Sequence, residues 1–389
     1  MVSIKNLFIY FVCLAIFYSP FIDNVFPILN TRLLFTLIFL FLLFLFALKE
    51  KKIEINLPYH MNKIVVLSLF ALFISSTIFW DNFYSINMYI GLFMASAVYL
   101  MGKEIFLKFL LFTFVVQIFL QTYEYFSVSY IYEPIIRMYG LEGQNTLESM
   151  YILRTKGLFE GPLTASAVAI NIAYIFRYNP IIISLAIFST ILANTRTGMI
   201  TTTVILILYS FFKRGKNSIN RGTIFAGVVI MILFAYTYIL PLILSEMSFD
   251  RIQELSNFSG NESNLKRLFY WSYGWDYYRS YDLQNILFGC SQCFANVYDN
   301  SAENDWLMLL LELGFIGFLL YAFPIFYIIK TSLSKKKMYL LCLVSLLIVN
   351  IFVYRHISGA STVILHWILI FSLIDELNDE NEIKINYNT

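Results

Sequence analysis

Residues 301–321 read S-A-E-N-D-W-L-M-L-L-L-E-L-G-F-I-G-F-L-L-Y, an apolar run that opens on Glu303-Asn304-Asp305 and carries one more acid, Glu312, in its body. Such a run is long enough to cross a hydrocarbon core about 30 Å thick. A plain anchor needs none of these acids. An acid inside a membrane is costly and is usually paired or functional, so the run reads as a span with something built onto its head.

The rest of the chain supports a membrane setting. Of 389 residues, 59% are hydrophobic and only 13% charged, against about 25% charged in a soluble domain. Phe (39) and Tyr (28) are abundant, as suits packing between spans and an interfacial aromatic belt. The composition therefore predicts an all-α polytopic membrane protein. Spans are expected at 6–23, 31–48, 63–80, 86–101, 105–122, 163–178, 180–195, 198–212, 223–244, 306–329, 338–354 and 360–374, about twelve helices in all. The first run lacks an A-x-A-like cleavage site and is expected to remain as a span.

Charge sets the expected orientation. Lys49 to Lys52, Lys103, Arg177, Lys213 to Arg221, Lys330 and Lys335 to Lys337 all fall on one side of this arrangement, which the positive-inside rule makes cytoplasmic. The chain then divides into N-terminal spans (1–122), a long extracytoplasmic loop (123–162), central spans (163–244), a larger extracytoplasmic loop (245–305), C-terminal spans (306–374) and a cytoplasmic tail (375–389). The acidic tail from Asp375 is expected to be a short disordered end. Loops as long as these two are uncommon unless they carry function.

The extracytoplasmic side should be poor in Lys and Arg, yet it holds Arg137, Arg154, Lys156, Arg196, Arg251, Lys266, Arg267, Arg279 and Arg355. Solvated surface charge accounts for Arg137, Arg251 and Arg279. Arg154 lies in R-T-K-G-L-F-E-G-P before a span, Arg196 in N-T-R-T-G between two spans, and Arg267 in a helical stretch of the large loop. A guanidinium fork suits a phosphate oxygen pair, and lipid diphosphate is an anion available at that depth. Head-group anchoring or an Arg–Glu pair between helices would equally satisfy each arginine.

Cys13 and Cys342 sit in apolar runs and read as small buried hydrophobes. Cys290-Ser-Gln-Cys293 has no second ligand pair for zinc; an oxidising compartment would permit a local disulfide there, and the sequence leaves open whether the pair forms one. The aromatic residues of 269–281 suit either sugar stacking or a small loop core.

In order and spacing these pieces resemble the superfamily of O-antigen polymerases (Wzy-type) and O-antigen ligases. The likeness runs from Arg154 to Tyr321: R-x-x-G-x-F-x-x-P at Arg154, Gly157, Phe159 and Pro162; N-T-R-T-G, similar to the family's S-R-T-G; an Arg-aromatic helix leading to Ile286-Leu-Phe-Gly289; and Glu303-Asn304, nine residues, then Gly314-x-x-Gly317. Two positions depart. Glu303 stands where the ligases place histidine, which favours the polymerase branch, and Ser291 replaces a second glycine of the G-x-G turn.

The resemblance implies a GT-C-like membrane glycosyltransferase without metal, cofactor or nucleotide sugar. Its partners would be donor and acceptor oligosaccharides on undecaprenyl diphosphate, membrane lipid and a chain-length regulator, with no nucleic acid. Arg154, Arg196 and Arg267 match the family's arginines and would grip the departing diphosphate, with Arg196 catalytic. Glu303 would take the acceptor proton, or else cap the helix that follows, a role open equally to Asn304 and Asp305. Glu312 reads as structural or orienting, and Gly314 and Gly317 as close-approach points. Glu160 would cap a helix or meet sugar hydroxyls. His356 and His366 read as packed side chains, His356 being the one at the extracytoplasmic boundary. A ligase, and in another class an exporter of polysaccharide or lipid, are the competing readings; an exporter would be expected to carry ionisable groups at the midplane of several spans.

Overall fold

The computed structural model describes residues 4–18, 22, 38, 57, 61–78, 86–127, 129–131, 154–159, 161–212, 262–291, 293–298, 302, 304–353, 357 and 360–378. These form helices α1 (Ile4–Phe17), α2 (Met61–Ile78), α3 (Ile86–Ser127), α4 (Pro162–Ile175), α5 (Pro180–Leu192), α6 (Arg196–Phe212), α7 (Glu262–Arg279), α8 (Leu283–Phe288), α9 (Cys293–Tyr298), α10 (Asp305–Ser334), α11 (Met338–Val353) and α12 (Ala360–Asn378). No strand occurs among the described residues. Among the described residues, three helices contain stretches long and apolar enough to cross a membrane: Gly91–Ser127, Asp305–Ser334 and Ser361–Asn378.

The expected spans at 86–101 and 105–122 are one helix of 42 residues, with a single non-helical residue at Gly102. The helix also runs to Ser127, into the segment read from sequence as loop. The expected spans at 31–48, save Ile38, and at 223–244 lie outside the described residues.

The core is organised around α12. Trp367, Phe371, Leu365 and Leu369 are fully buried, and α12 packs against α1, α3, α4 and α10. α4 is lined by Ala165, Ala167, Ala169 and Ala173, all buried, and small side chains let neighbouring helices approach closely. α5 starts on Pro180, with the Asn179 side chain accepting from the Ile181 and Ile182 amides. Proline at the first helical position surrenders an amide that would have no intrahelical partner. His366 is buried between the rings of Tyr321 and Trp367, 6.1 and 5.9 Å between centroids, packed as expected.

One end of the set is tied together by charge. Arg177, 4% exposed, pairs with Glu376 at the end of α12 and donates to the Tyr174 carbonyl. Lys103 meets Asp375 at 3.3 Å, Lys335 donates to the Leu377 carbonyl at 2.7 Å, and Lys337 donates to the Glu376 carbonyl. Of the residues expected on a common side, Lys103, Arg177, Lys335 and Lys337 are thus together, while Lys49 to Lys52 and Lys213 to Arg221 lie outside the described residues. Residues 375–378, expected to be disordered, are helix, because these cations neutralise the two acids and cap the last carbonyls of α12.

Candidate functional site

At the opposite end of α4 from Arg177 lies the segment Arg154–Phe159, and α3 holds it by polar side chains on one face. The Glu124 carboxylate accepts from the amides of Lys156 and Gly157, both at 2.8 Å, and from the Ile131 amide at 3.4 Å. About two turns earlier, Gln117 accepts from the Leu158 amide at 2.7 Å and donates to the Lys156 carbonyl at 2.9 Å. Gln121, between them, exchanges hydrogen bonds with Ser189 of α5. Gly157 is at φ +56, and an added Cβ would lie 2.5 Å from the Gln117 oxygen. Here the glycine of R-x-x-G-x-F supplies both a left-handed turn and a close approach.

The Lys156 side chain is buried, 6% exposed, with its ammonium 4.5 Å over the Tyr130 ring. Burial pulls its pKa down to about 8, against a smaller upward pull from Glu124. Tyr130 also donates to the Arg154 carbonyl at 3.3 Å.

The segment adjoins the turn that carries Arg196. The Thr155 amide donates to the Leu192 carbonyl at 3.3 Å. From there Asn194 turns the chain at φ 49, and the Thr195 hydroxyl donates to Ser166 at 2.5 Å. A Cβ on Gly198 would fall 2.1 Å from the Ser166 oxygen, so the glycine of N-T-R-T-G lets α6 lie against α4. Arg196 opens α6 and is half-buried.

Arg267 is half-buried on α7, a helix as read from sequence. One turn on, Trp271 packs edge to face on Phe352 of α11 at 5.2 Å, and a Cβ on Gly274 would sit 2.8 Å from Leu307. α7 is thereby seated across the head of α10 and the end of α11. Lower on α11, Asn350 accepts from the Thr201 hydroxyl of α6 at 2.7 Å.

At the head of α10, Asn304 is the cap, its side chain accepting from the Leu307 amide at 3.1 Å. Asp305, fully buried, instead accepts from the Ile357 amide at 2.5 Å and ties α10 to the α11–α12 connection. Of the three acceptors in Glu303-Asn304-Asp305, the helix start therefore needs only Asn304. Glu303, Glu160 and His356 lie outside the described residues.

α10 is not continuous. At Gly314 (φ 67, ψ −169) its backbone leaves the helix. The Leu311 carbonyl accepts from the Cys290 amide at 2.9 Å and the Tyr281 hydroxyl at 3.2 Å, while the Glu312 carbonyl accepts from the Ser291 amide at 3.2 Å. These are acceptors that an unbroken helix would satisfy itself. Ser291 is left-handed at φ 45, so a non-glycine holds the second turn position. Cys290 and Cys293 are disulfide-bonded, Cα atoms 5.5 Å apart. The Glu312 side chain is buried; burial first, then Tyr277 and Glu312, raise the Tyr281 phenol well above its ordinary pKa.

The aromatic residues of the large loop form a small core, one of the two roles read from sequence. Tyr270, Tyr277, Tyr278 and Tyr281 pack with Phe294, Ala302, Leu307, Met308 and Leu311 as a small core. Phe269 (51% exposed), Tyr273 (39%) and Trp275 (43%) lie at its exposed edge, in ring contact with Tyr270, Tyr298 and Tyr278. Arg279 is exposed, 3.8 Å from Asp276 and 5.4 Å from the Trp275 ring centre, a solvated charge as expected. Among the described residues no three His, Cys, Asp or Glu side chains converge to hold a metal.

Sequence reading missed Gln117, Gln121 and Glu124. Their signal was three polar side chains at helical spacing inside an otherwise apolar run.

Residues 181–322 match the protein family described as O-antigen ligase. The matched stretch is more than a third of the chain and runs from the first turn of α5 past the break in α10. It contains Arg196, Arg267, Glu303, Asn304 and Glu312, and leaves out Arg154, Glu160 and His356. No curated protein matches the chain. The resemblance to the polymerase and ligase superfamily is borne out. Members of that family are glycosyltransferase-like membrane enzymes, and with the long apolar helices the match makes this an integral membrane protein.

Proposed function

We propose that this chain, which carries the O-antigen ligase family region at residues 181–322, is a polysaccharide polymerase of the cytoplasmic membrane. It would join undecaprenyl-diphosphate-linked oligosaccharide repeats for O-antigen or capsule at the extracytoplasmic face, within a GT-C-like set of about twelve spans. An acceptor hydroxyl attacks the anomeric carbon of the donor. Its oxygen forms the new glycosidic bond with inversion, the bond from that carbon to the diphosphate oxygen breaks, and undecaprenyl diphosphate leaves as the anion. Glu303 receives the hydroxyl proton.

The observation that carries this reading is the content of the matched stretch: an arginine at a helix start between two short helices, and a carboxylate rather than a histidine at the head of α10. α5 has 13 residues, about 20 Å at 1.5 Å per residue. That is shorter than a hydrocarbon core of about 30 Å. A helix beginning at the Arg177 end would leave Arg196 below the opposite membrane surface, where a cation is costly without an anion. A lipid-linked diphosphate is an anion suited to that depth, and fixed guanidinium groups lower the barrier as charge builds on it. The Thr155–Leu192 hydrogen bond supports including Arg154 in the same group. Arg267 joins it as a cation of α7.

Because Asn304 already caps α10, Glu303 is available as the base, and partial withdrawal from water would raise its pKa towards a useful value. The description of the matched family favours a second reading, a ligase passing finished polymer to lipid A-core. The test is Glu303→Gln in reconstituted vesicles supplied with lipid-linked repeats. Products held at single repeats support the polymerase; wild-type chain lengths would reduce Glu303 to a structural residue. Transfer to lipid A-core acceptor without any lengthening would establish the ligase instead.

A further inference from the structure

The segment that carries Arg154 takes its shape from one carboxylate on a neighbouring helix. Glu124 is fully buried near the end of α3, where a charge is expensive unless its acceptors are used. One oxygen receives both the Lys156 and Gly157 amides at 2.8 Å, and the other receives Ile131 at 3.4 Å. Hydrogen bonds of this kind, from backbone amides to an ionised acceptor, are among the stronger in proteins. The two bonded amides follow Arg154 by two and three residues. On the other side, Tyr130 fixes the Arg154 carbonyl and Thr155 is bonded to α5. Arg154 therefore leaves a backbone held by Glu124, Gln117, Tyr130 and the Leu192 carbonyl, of which Glu124 accepts two successive amides.

We infer that Glu124 is a positioning residue for the anion site: it fixes the Arg154–Gly157 backbone so that the Arg154 guanidinium meets a lipid-linked diphosphate. This rests on the diphosphate-binding role proposed above for Arg154. Glu124 itself touches no substrate. Gln117 is the second rung of the same device, bonded to the Lys156 carbonyl and the Leu158 amide. Positioning a binding group in advance raises affinity because less freedom is lost on binding.

A carboxylate and a carboxamide oxygen can each accept two amide protons, whereas alanine leaves both buried donors stranded. The test is binding of undecaprenyl diphosphate to the full chain in nanodiscs, by calorimetry, for wild type, Glu124→Ala, Glu124→Gln and Gln117→Ala. Expected are a weakening of about tenfold or more for Glu124→Ala, about threefold or less for Glu124→Gln, and an intermediate loss for Gln117→Ala. Wild-type affinity in Glu124→Ala overturns the inference, as does an equal loss in the Ala and Gln variants, which would make the charge rather than amide acceptance the active feature.

If Glu124→Ala is not recovered folded, the Gln117→Ala affinity and amide exchange at Lys156 and Gly157 in the wild type decide. Rapid exchange there, or unchanged binding in Gln117→Ala, overturns it; protected amides with weakened binding support it. Polymer synthesis is scored separately. Graded diphosphate binding with no polymer from the wild type would retain Glu124 as a positioning residue and defeat the polymerase reading instead.

Discussion

Gly289 and Gly314 meet backbone to backbone: a Cβ added to Gly314 would lie 2.4 Å from the Gly289 nitrogen, and one added to Gly289 would lie 2.3 Å from the Glu312 carbonyl. Both glycines are at positive φ. Through this contact the loop before α9 supplies the amides of Cys290 and Ser291 to the broken segment of α10. Gly314→Ala is expected to destabilise by at least about 2 kcal/mol, from backbone strain alone of about 1–3 kcal/mol and from a clash with rigid backbone. In detergent this should lower the unfolding midpoint by several degrees. Gly161→Ala is the control, because a Cβ there meets nothing within 4 Å. Equal midpoints for the two variants would show that the two backbones do not touch.

Much of this architecture was legible in composition and periodicity. Among the described residues, the apolar runs at 163–178, 180–195, 198–212, 306–329, 338–354 and 360–374 became helices within a few residues of their expected ends, since a long apolar stretch has few other ways to satisfy its backbone in lipid. The α7 helix and a cap at the head of α10 were also readable. Charge pairing was not. Arg177 and Glu376 lie 199 positions apart, and nothing local in Asp375-Glu376 distinguishes a helix end from a solvated tail. Likewise Gln117, Gln121 and Glu124 read as interruptions of a span, because their partners are the backbone amides of a segment over thirty residues away. The helix break at Gly314 was hidden for a related reason. Glycine within an apolar run signals close approach as readily as a break, and only the amides of residues 290 and 291 decide which.

Lys156 should leave a signature in the pH dependence of stability. Its folded pKa, lowered by burial to about 8, lies below the value near 10.4 of an exposed lysine. Between those two pH values the unfolded chain holds more protons than the folded one, so this residue's contribution to stability rises with pH across that window. Below pH 8 the burial cost is carried in full. Lys156→Met fills similar volume and keeps a favourable contact with the Tyr130 ring. It should unfold at a higher temperature than the wild type at pH 7, with the gap narrowing at pH 9.5. A gap that is constant or widens over that range would place the ammonium in water.

Arg196 offers the sharpest separation of fold from function. It stands in the first turn of α6, where the helix dipole disfavours a cation by about 0.3–1 kcal/mol. The same dipole and the guanidinium together favour a bound anion. Removing the side chain should relieve this dipole term while removing charge stabilisation from the departing diphosphate. Arg196→Ala is expected to reach the membrane at wild-type level with an unchanged unfolding midpoint, and to lose about 100-fold or more of its polymerising rate. Arg196→Lys should recover only part, because an ammonium lacks the planar fork that engages two phosphate oxygens. Long chains from the Arg196→Ala variant on a silver-stained polysaccharide gel would remove this arginine from the mechanism. A collapse of the unfolding midpoint would assign it to the α5–α6 turn instead.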